Sequence, residues 1–254
     1  MRNRLVQWPK AVWWEKAWNP LLGCKACSPA CDHCYAAAMT RRFGGSFEPH
    51  LTKQQQPPRK GIVFCGNMTD LFGEWRAIDD IAADIATCIA QSGHPYLWLT
   101  KRPARMMKAI YHIGDRLNNP EYAFRNQYFG FTAENQEWYD KRLMDFKGSD
   151  STYPGYAQFW LSLEPLLGPI SLHFQHFSYN PFRWVVCGCE SGAGRRPCNI
   201  EWVESIVEQC MSAKVPVFVK QLSINNKCET DISKFPAHLQ IRQVPWADSE
   251  KGEK

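Results

Sequence analysis

The sequence predicts an α/β protein built as a partial or full parallel (β/α) barrel of the TIM-barrel type, and three observations carry that prediction. Short apolar runs rich in β-branched and aromatic residues alternate with helix-forming stretches along most of the chain. The runs are apolar at nearly every position, the pattern of strands buried on both faces, which belongs to parallel sheets. Each run ends in polar residues; a barrel explains this because all its strand ends open on one mouth, whereas an open doubly wound sheet binds ligands only at its switch point. With 254 residues and 44% hydrophobic content the chain is long enough for one such core, so a single domain over 1–254 is expected.

Taken in order, residues 5–20 hold Trp8, Trp13, Trp14 and Trp18, an aromatic density that suits a core or a barrel end better than base stacking. Residues 11–16 are a candidate short first strand. Residues 34–43, with Ala36, Ala37, Ala38, Met39 and terminal arginines, have helical composition. Residues 44–60, rich in Gly, Pro, Gln and charge, read as a surface excursion. Strands are then expected at 62–65, 96–99, 128–131, 159–163, 184–187 and 217–219. Helices are expected after Ile78, over about 103–113, through Leu143, and over about 201–213. A tail from about residue 223 to 254 is expected to be peripheral, with a frayed end.

A net charge of +5 permits an anionic partner without demanding one. Basic clusters at Arg41-Arg42, Lys53, Arg59-Lys60, Lys101-Arg102 with Arg105 and Lys108, and Arg195-Arg196 read first as solvated faces, except Lys101 and Arg102, which their position at a strand end sets apart. No apolar run reaches transmembrane length and no secretory hydrophobic region follows the start, so a cytoplasmic protein with no membrane partner is expected. Eleven cysteines, an odd number, then argue for reduced thiols and metal ligands over a disulfide framework.

Four of those cysteines, Cys24, Cys27, Cys31 and Cys34, fall on one short loop. Cys27, Cys31 and Cys34 have the spacing C-x3-C-x2-C, which lets three thiolates converge on one centre. A cluster held by three cysteines keeps one iron open to a non-protein ligand, and an open iron can do chemistry. The alternative is a closed zinc site of all four thiolates, against which stands the very short connector between the two pairs. Cys65, Cys88, Cys187, Cys210 and Cys228 lack partner spacing and read as structural thiols. Cys198, beside Arg195-Arg196, is the candidate for higher reactivity, and His33 reads as a surface or packed histidine rather than a ligand.

Trp18-Asn19-Pro20, Gly23-Cys24, Ser28-Pro29-Ala30-Cys31-Asp32-His33-Cys34-Tyr35-Ala36 and Arg41-Arg42-Phe43 together resemble the signature of the phage-associated three-Cys-motif family, which itself resembles radical S-adenosylmethionine (SAM) enzymes. Further blocks at Asn67-Met68-Thr69-Asp70-Leu71-Phe72, Leu99-Thr100-Lys101-Arg102-Pro103, residues 161–168, Cys189-Glu190-Ser191-Gly192 and Phe218-Val219-Lys220-Gln221 extend the resemblance over about residues 13–222. Two departures stand out. The family's three cysteines correspond to Cys24, Cys31 and Cys34, and position 27 is not usually cysteine, so Cys24 and Cys27 both remain candidates for the first ligand. Cys189 stands where the family more often has glycine, which puts close backbone approach to a ligand there in doubt.

The resemblance implies a radical-SAM-like fold in which a [4Fe–4S] cluster on the cysteine loop binds SAM and cleaves it reductively to methionine and a 5′-deoxyadenosyl radical, with the protein positioning the cofactor and excluding water. On a barrel the loop shares its mouth with Asn67, Asp70, Lys101, Glu134, Asn135, Glu164, Glu190 and Lys220. Asn67, Asp70, Glu190, Ser191 and Gly192 are then candidates to hold SAM, and Lys101, Glu164 and Lys220 to bind substrate or move protons, each weighed against a role in a structural ion pair. The three glycines of residues 188–194 suit a phosphate- or SAM-contacting loop, without the lysine of a Walker A motif. The phage context and the basic mouth lean toward a DNA base or nucleotide as substrate, with an electron donor and a partner protein as possible associates. The rival from another class is a non-enzymatic zinc- or cluster-bearing nucleic-acid-binding protein, whose affinity would fall steeply with salt. A third reading keeps the barrel but uses the cluster only structurally.

Overall fold

The apolar runs become strands and the amphipathic stretches between them become helices. The computed structural model describes residues 6–246 apart from residues 55, 92, 148–153, 178–179 and 193. The elements run β1 (Val6–Gln7), β2 (Lys16–Trp18), β3 (Leu21–Leu22), α1 (Tyr35–Arg42), β4 (His50–Leu51), β5 (Val63–Cys65), α2 (Ile78–Ala90), β6 (Tyr96–Thr100), α3 (Pro103–Gly114), α4 (Pro120–Phe124) and β7 (Gln127–Thr132). They continue with α5 (Gln136–Lys147), β8 (Gln158–Leu163), β9 (Phe182–Gly188), α6 (Ile200–Ser212), β10 (Val217–Ile224), β11 (Lys227–Glu229) and β12 (Gln243–Val244).

The result is a mixed α/β fold around an eight-stranded sheet of order β2-β5-β6-β7-β8-β9-β10-β11. Every pairing in it is parallel except the β10–β11 hairpin. The parallel strands lie in the order of the chain with no reversal, so their C-terminal ends form one continuous rim.

Strand alternation divides the sheet into two faces. One carries Val63, Cys65, Trp98, Phe129, Phe131, Phe159, Leu161, Val185 and Val217, and the helices pack there through Ile81 and Ile85 of α2, Met106 and Ile110 of α3, Tyr139 and Leu143 of α5, and Val203 and Ile206 of α6. Sequence explains those helices locally. Asp79 and Asp80 lie in the first turn of α2, where the helix dipole favours negative charge. Pro103 opens α3 at the one position where its missing N–H costs nothing.

The opposite face carries Leu97, Tyr128, Trp160, Trp184, Val186 and Phe218, and no helix covers it in this cluster; Trp13, Val244 and Trp246 fill it instead. Trp13 sets its ring edge-on to Trp160 and Trp184 with centroids 5.1 and 5.4 Å away, and Trp246 meets Trp184 at 4.8 Å. The buried Trp160 indole N–H donates to the carbonyls of Trp98 and Tyr128 at 3.1 and 3.2 Å. Its ring lies over Gly130, where a Cβ would stand 2.5 Å from a ring carbon; glycine at that position is a packing requirement.

Two expectations need correcting. The first strand lies at Lys16–Trp18 rather than 11–16, because Trp13 is spent on the inner core. The segment from residue 223 is not peripheral as far as it is described: Phe235, Leu239, Arg242, Val244 and Trp246 are buried, and β12 pairs with β1. The expected frayed end, residues 250–254, lies outside the described residues. No helix among the described residues is long and apolar enough to cross a membrane.

Candidate functional site

The inward rows of the sheet change character along their length. Trp160 is followed at period two by Ser162 and Glu164, Phe218 by Lys220, and Leu97 by Leu99 and Lys101, so the face that is aromatic at one end becomes polar and charged at the C-terminal rim. Two of these side chains meet: Lys220 Nζ lies 2.5 Å from Glu164 Oε1, which also accepts from Gln221 Nε2 at 3.3 Å. Glu164 precedes a cis peptide bond to Pro165, and its backbone carbonyl accepts from the Thr132 hydroxyl at 3.2 Å.

The cysteine loop is folded onto this rim. Its root is fixed where Gly23, at φ +84°, lies so close to the backbone of Glu48 that a Cβ would sit 2.3 Å from a carbonyl oxygen, and where the Thr69 hydroxyl donates to Gly23 O at 2.5 Å. Its middle is a 3-10 turn over Pro29–Cys31, above which the Ala30 amide donates to Glu134 Oε1 at 3.3 Å. Glu134 is wholly buried and paired at 2.6 Å with Arg142 of α5. At its far end His33 Nδ1 lies 2.9 Å from Glu190 Oε2, and Arg196 holds the same carboxylate from its backbone N–H, its Nε and its Nη2. Arg102 closes the near side, donating to Lys25 O at 3.1 Å. Strand ends β6, β7 and β9 thus each send a residue to the loop.

Within the loop the thiols sense one another. Cys27 hydrogen-bonds Cys31, which pushes the Cys31 thiol well below the ordinary thiol range, helped against burial by the charge of Lys101 and by the backbone N–H groups of Cys27 and Ser28. The same bond, with burial, pushes Cys27 up. Burial first and then the Asp70 carboxylate raise Cys24 to about 11. Cys34 caps α1, next to Tyr35, whose phenol donates to Asn67 O. The donor set therefore suits a soft metal centre: thiols on one loop, one of them pulled below the ordinary thiol range. Among the described residues no three Cys, His, Asp or Glu side chains are gathered closely enough to hold a metal ion.

The predicted residues divide into three groups. Lys101, Glu164 and Lys220 stand at the rim, and Lys101 has no carboxylate partner among the described residues. Ser191 and Gly192 are exposed beside it, Gly192 at φ +96°. Asn67, Asp70 and Glu190 are correctly placed but already engaged. Asp70 accepts from Phe72 N, the Thr100 hydroxyl, Lys101 N and Arg102 Nη1, all within 3.1 Å, which ties the loop after β5 to the end of β6 and leaves no free acceptor for a cofactor. Asn67 Oδ1 accepts from Asn19 Nδ2 at 2.7 Å. In Glu190 burial would raise the carboxyl, but the hydrogen bonds and charge of Arg196 outweigh it and hold the group below the usual carboxylate range. Asp70 and Glu190 thus serve the scaffold around the loop.

Sequence reasoning named Arg102 and Arg196 only within basic clusters and missed Arg142; all three fix the loop's supports, and each finds its carboxylate only through the fold. It also missed a second thiol pair, in which Cys228 of β11 hydrogen-bonds Cys189 at the end of β9. A cavity of about 760 Å³ lies beside them, between the start of α6 and the β10–β11 hairpin, with Cys198 in its wall.

No curated protein and no solved structure matches the chain. A family model does match, over residues 9–240, a span that takes in the cysteine loop, all eight strands of the sheet and every residue of the rim. The chain belongs to the family described as protein of unknown function, DUF5131.

Proposed function

We propose that the chain is a radical-SAM-type iron–sulfur enzyme acting on a nucleic-acid base or nucleotide, the role that its resemblance to the phage-associated three-Cys-motif proteins implies. Cys31, Cys34 and one of Cys24 and Cys27 would hold the cluster. The observation that carries the reading is the seating of a loop of four thiols on the rim of a parallel sheet, against Lys101 and within the same rim as Glu164 and Lys220. The unreversed strand order, with helices on one face and tryptophans on the other, supports a partial (β/α) barrel as the frame. When bound, a [4Fe–4S] cluster supplies the electron that cleaves SAM and thereby starts hydrogen abstraction from substrate.

The chain's own residues supply the setting. Arg102, Glu134 and Glu190 hold the loop at three points, so the loop is seated against the rim before any ligand arrives. The Trp160, Trp184 and Phe218 layer closes the floor of the mouth and excludes water from the side opposite the rim. Lys101 places a positive charge near Cys31. The Glu164–Lys220 pair places a proton-carrying ammonium and an acceptor carboxylate 2.5 Å apart, a pair able to hold or pass a proton at the rim.

The test is anaerobic reconstitution with iron and sulfide, followed by metal analysis and a search for methionine and 5′-deoxyadenosine after reduction in the presence of SAM. Iron and sulfide in cluster stoichiometry, lost in Cys31→Ala and Cys34→Ala, with both cleavage products formed, support the enzyme. Stoichiometric zinc with no SAM cleavage leaves the non-enzymatic nucleic-acid-binding reading in its place.

A further inference from the structure

Three of the large apolar side chains that the described surface exposes sit on one short helix. Tyr35, Met39 and Phe43 follow at intervals of four along α1 and its C-cap and are 48%, 47% and 81% exposed, while Ala36 and Ala37 form the buried side. Intervals of four on a helix keep side chains on one stripe, and eight residues of rise make it about 12 Å long. Arg41 and Arg42, in the last turn, are exposed. Neither takes part in an ion pair among the described residues. Cations near a helix C-terminus complement its dipole, which accounts for the arginines but leaves the apolar stripe unexplained. Single exposed apolar residues are ordinary; a row of them is a contact surface.

The stripe has a direction. Tyr35 follows Cys34, and its hydroxyl donates to the carbonyl of Asn67 on the loop after β5, so one end lies at the mouth and the other, at Phe43, points away from it. Two aromatic rings separated by a flexible thioether, with Arg42 alongside and Arg41 on the far side of the helix, offer the two things a single strand needs: faces on which any base stacks and a charge for its phosphates. A duplex keeps its bases stacked inside and offers nothing to the rings.

We propose that α1 is a tracking ridge for single-stranded nucleic acid, on which Tyr35 and Phe43 stack against bases and Arg42 meets a phosphate as the strand leads into the mouth. The inference rests on the reading above for its substrate class, but the ridge binds through its own side chains.

The experiment is fluorescence anisotropy of a labelled oligothymidylate with the full-length protein, titrated at several salt concentrations, with a duplex of matched length for comparison. The single strand binds more tightly than the duplex. Phe43→Ala, a fully surface change, weakens binding by roughly five-fold or more, the lower end of a lost base–aromatic stack. Arg42→Gln lowers the slope of log affinity against log salt by about 0.7, one phosphate contact on a single strand. Tyr122→Ala, an exposed aromatic on α4, which leads into the opposite ends of the strands, leaves binding unchanged. Absence of oligonucleotide binding by the wild type, equal binding of the duplex, or Phe43→Ala and the arginine variant binding as the wild type does, overturns the ridge. Cys31→Ala separates the two readings: it removes the cluster and keeps oligonucleotide binding if the ridge is right. A SAM-cleaving cluster in a protein that ignores oligonucleotides overturns the ridge alone.

Discussion

Replacing Glu134 by glutamine tests how the cysteine loop is held. The carboxylate is fully buried, its partner Arg142 is almost so, and the two approach to 2.6 Å. Glutamine keeps an oxygen for the Ala30 amide but removes the charge. Arg142 then has only Thr132 O at 2.9 Å and the face of Trp138 at 4.7 Å, because its Nε and Nη2 already lack hydrogen-bond partners. Removing one member of a buried pair costs about 3–5 kcal/mol, since the other charge stays in a low-dielectric site. Two partnerless N–H groups put this site at the upper end. For a chain of this size that is a fall in Tm of roughly 6–20 °C. Arg142→Met alone strands the carboxylate and carries a similar cost. The double variant Glu134→Gln, Arg142→Met leaves no charge behind and recovers most of the loss, so the cycle shows a coupling of several kcal/mol. Thermal denaturation of the four proteins by circular dichroism measures it. A Glu134→Gln protein within about 1 kcal/mol of wild type, or a double variant no better than the worse single, refutes the argument that this pair is a buried, mutually dependent support.

Other outcomes follow from the same geometry. Gly130→Ala drives a methyl into the Trp160 ring and lowers stability by about 1–3 kcal/mol, the usual range for overpacking, as read from the denaturant midpoint; a neutral result contradicts the stated packing. Glu190, held below the usual carboxylate range by Arg196, contributes stability that is complete above the ordinary carboxylate pKa and lost as pH falls through its own lower value. Glu190→Gln therefore flattens the acid limb of the stability profile and leaves its slope above neutrality unchanged; an unaltered acid limb speaks against the pairing. Among the thiols outside the cysteine loop, Cys228 is pulled down to about 7 by its bond from Cys189, whereas burial pushes Cys198 up to about 11. Iodoacetamide at neutral pH labels Cys228 first by peptide mass spectrometry, and Cys189→Ala slows that reaction; prior labelling of Cys198 would reverse the ranking.

The parallel sheet was legible because burial on both faces leaves a local trace. Runs such as residues 128–131 and 184–187 are apolar throughout, and a strand end is marked where Glu164 or Glu190 follows. The strands came out longer than those runs at β9 and β10: Phe182 pairs with Phe159 past an irregularity that leaves out the polar Arg183, and polar Ser223 pairs with Cys228. The short helix α4 was not foreseen, because five residues give no period to read; its signal is the Asn119 side chain accepting from Tyr122 N, followed by Pro120 at the first position. The tail's integration was hidden for another reason. Val244 and Trp246 look like isolated apolar residues until the inner face of the sheet, assembled from six distant strands, offers them a place.

The site shows the same division. The cysteine loop is written in consecutive residues and could be read; the supports that aim it are not. Glu134 meets Ala30 across 104 positions and Glu190 meets His33 across 157, and no spacing rule reaches that far. Asp70 illustrates the cost. A carboxylate after a strand reads as a ligand, but once Thr100, Lys101 and Arg102 come alongside, their donors saturate it.

The central claim, a SAM-binding iron–sulfur centre on the cysteine loop, meets its most direct measurement in electron paramagnetic resonance of the anaerobically reconstituted, reduced protein with and without SAM, comparing wild type with Cys24→Ala, Cys27→Ala and Cys31→Ala. The account predicts a [4Fe–4S] signal that SAM perturbs, its loss in Cys31→Ala, and its loss in whichever of Cys24→Ala and Cys27→Ala removes the third ligand. A signal indifferent to SAM, or a colourless protein carrying stoichiometric zinc, contradicts it.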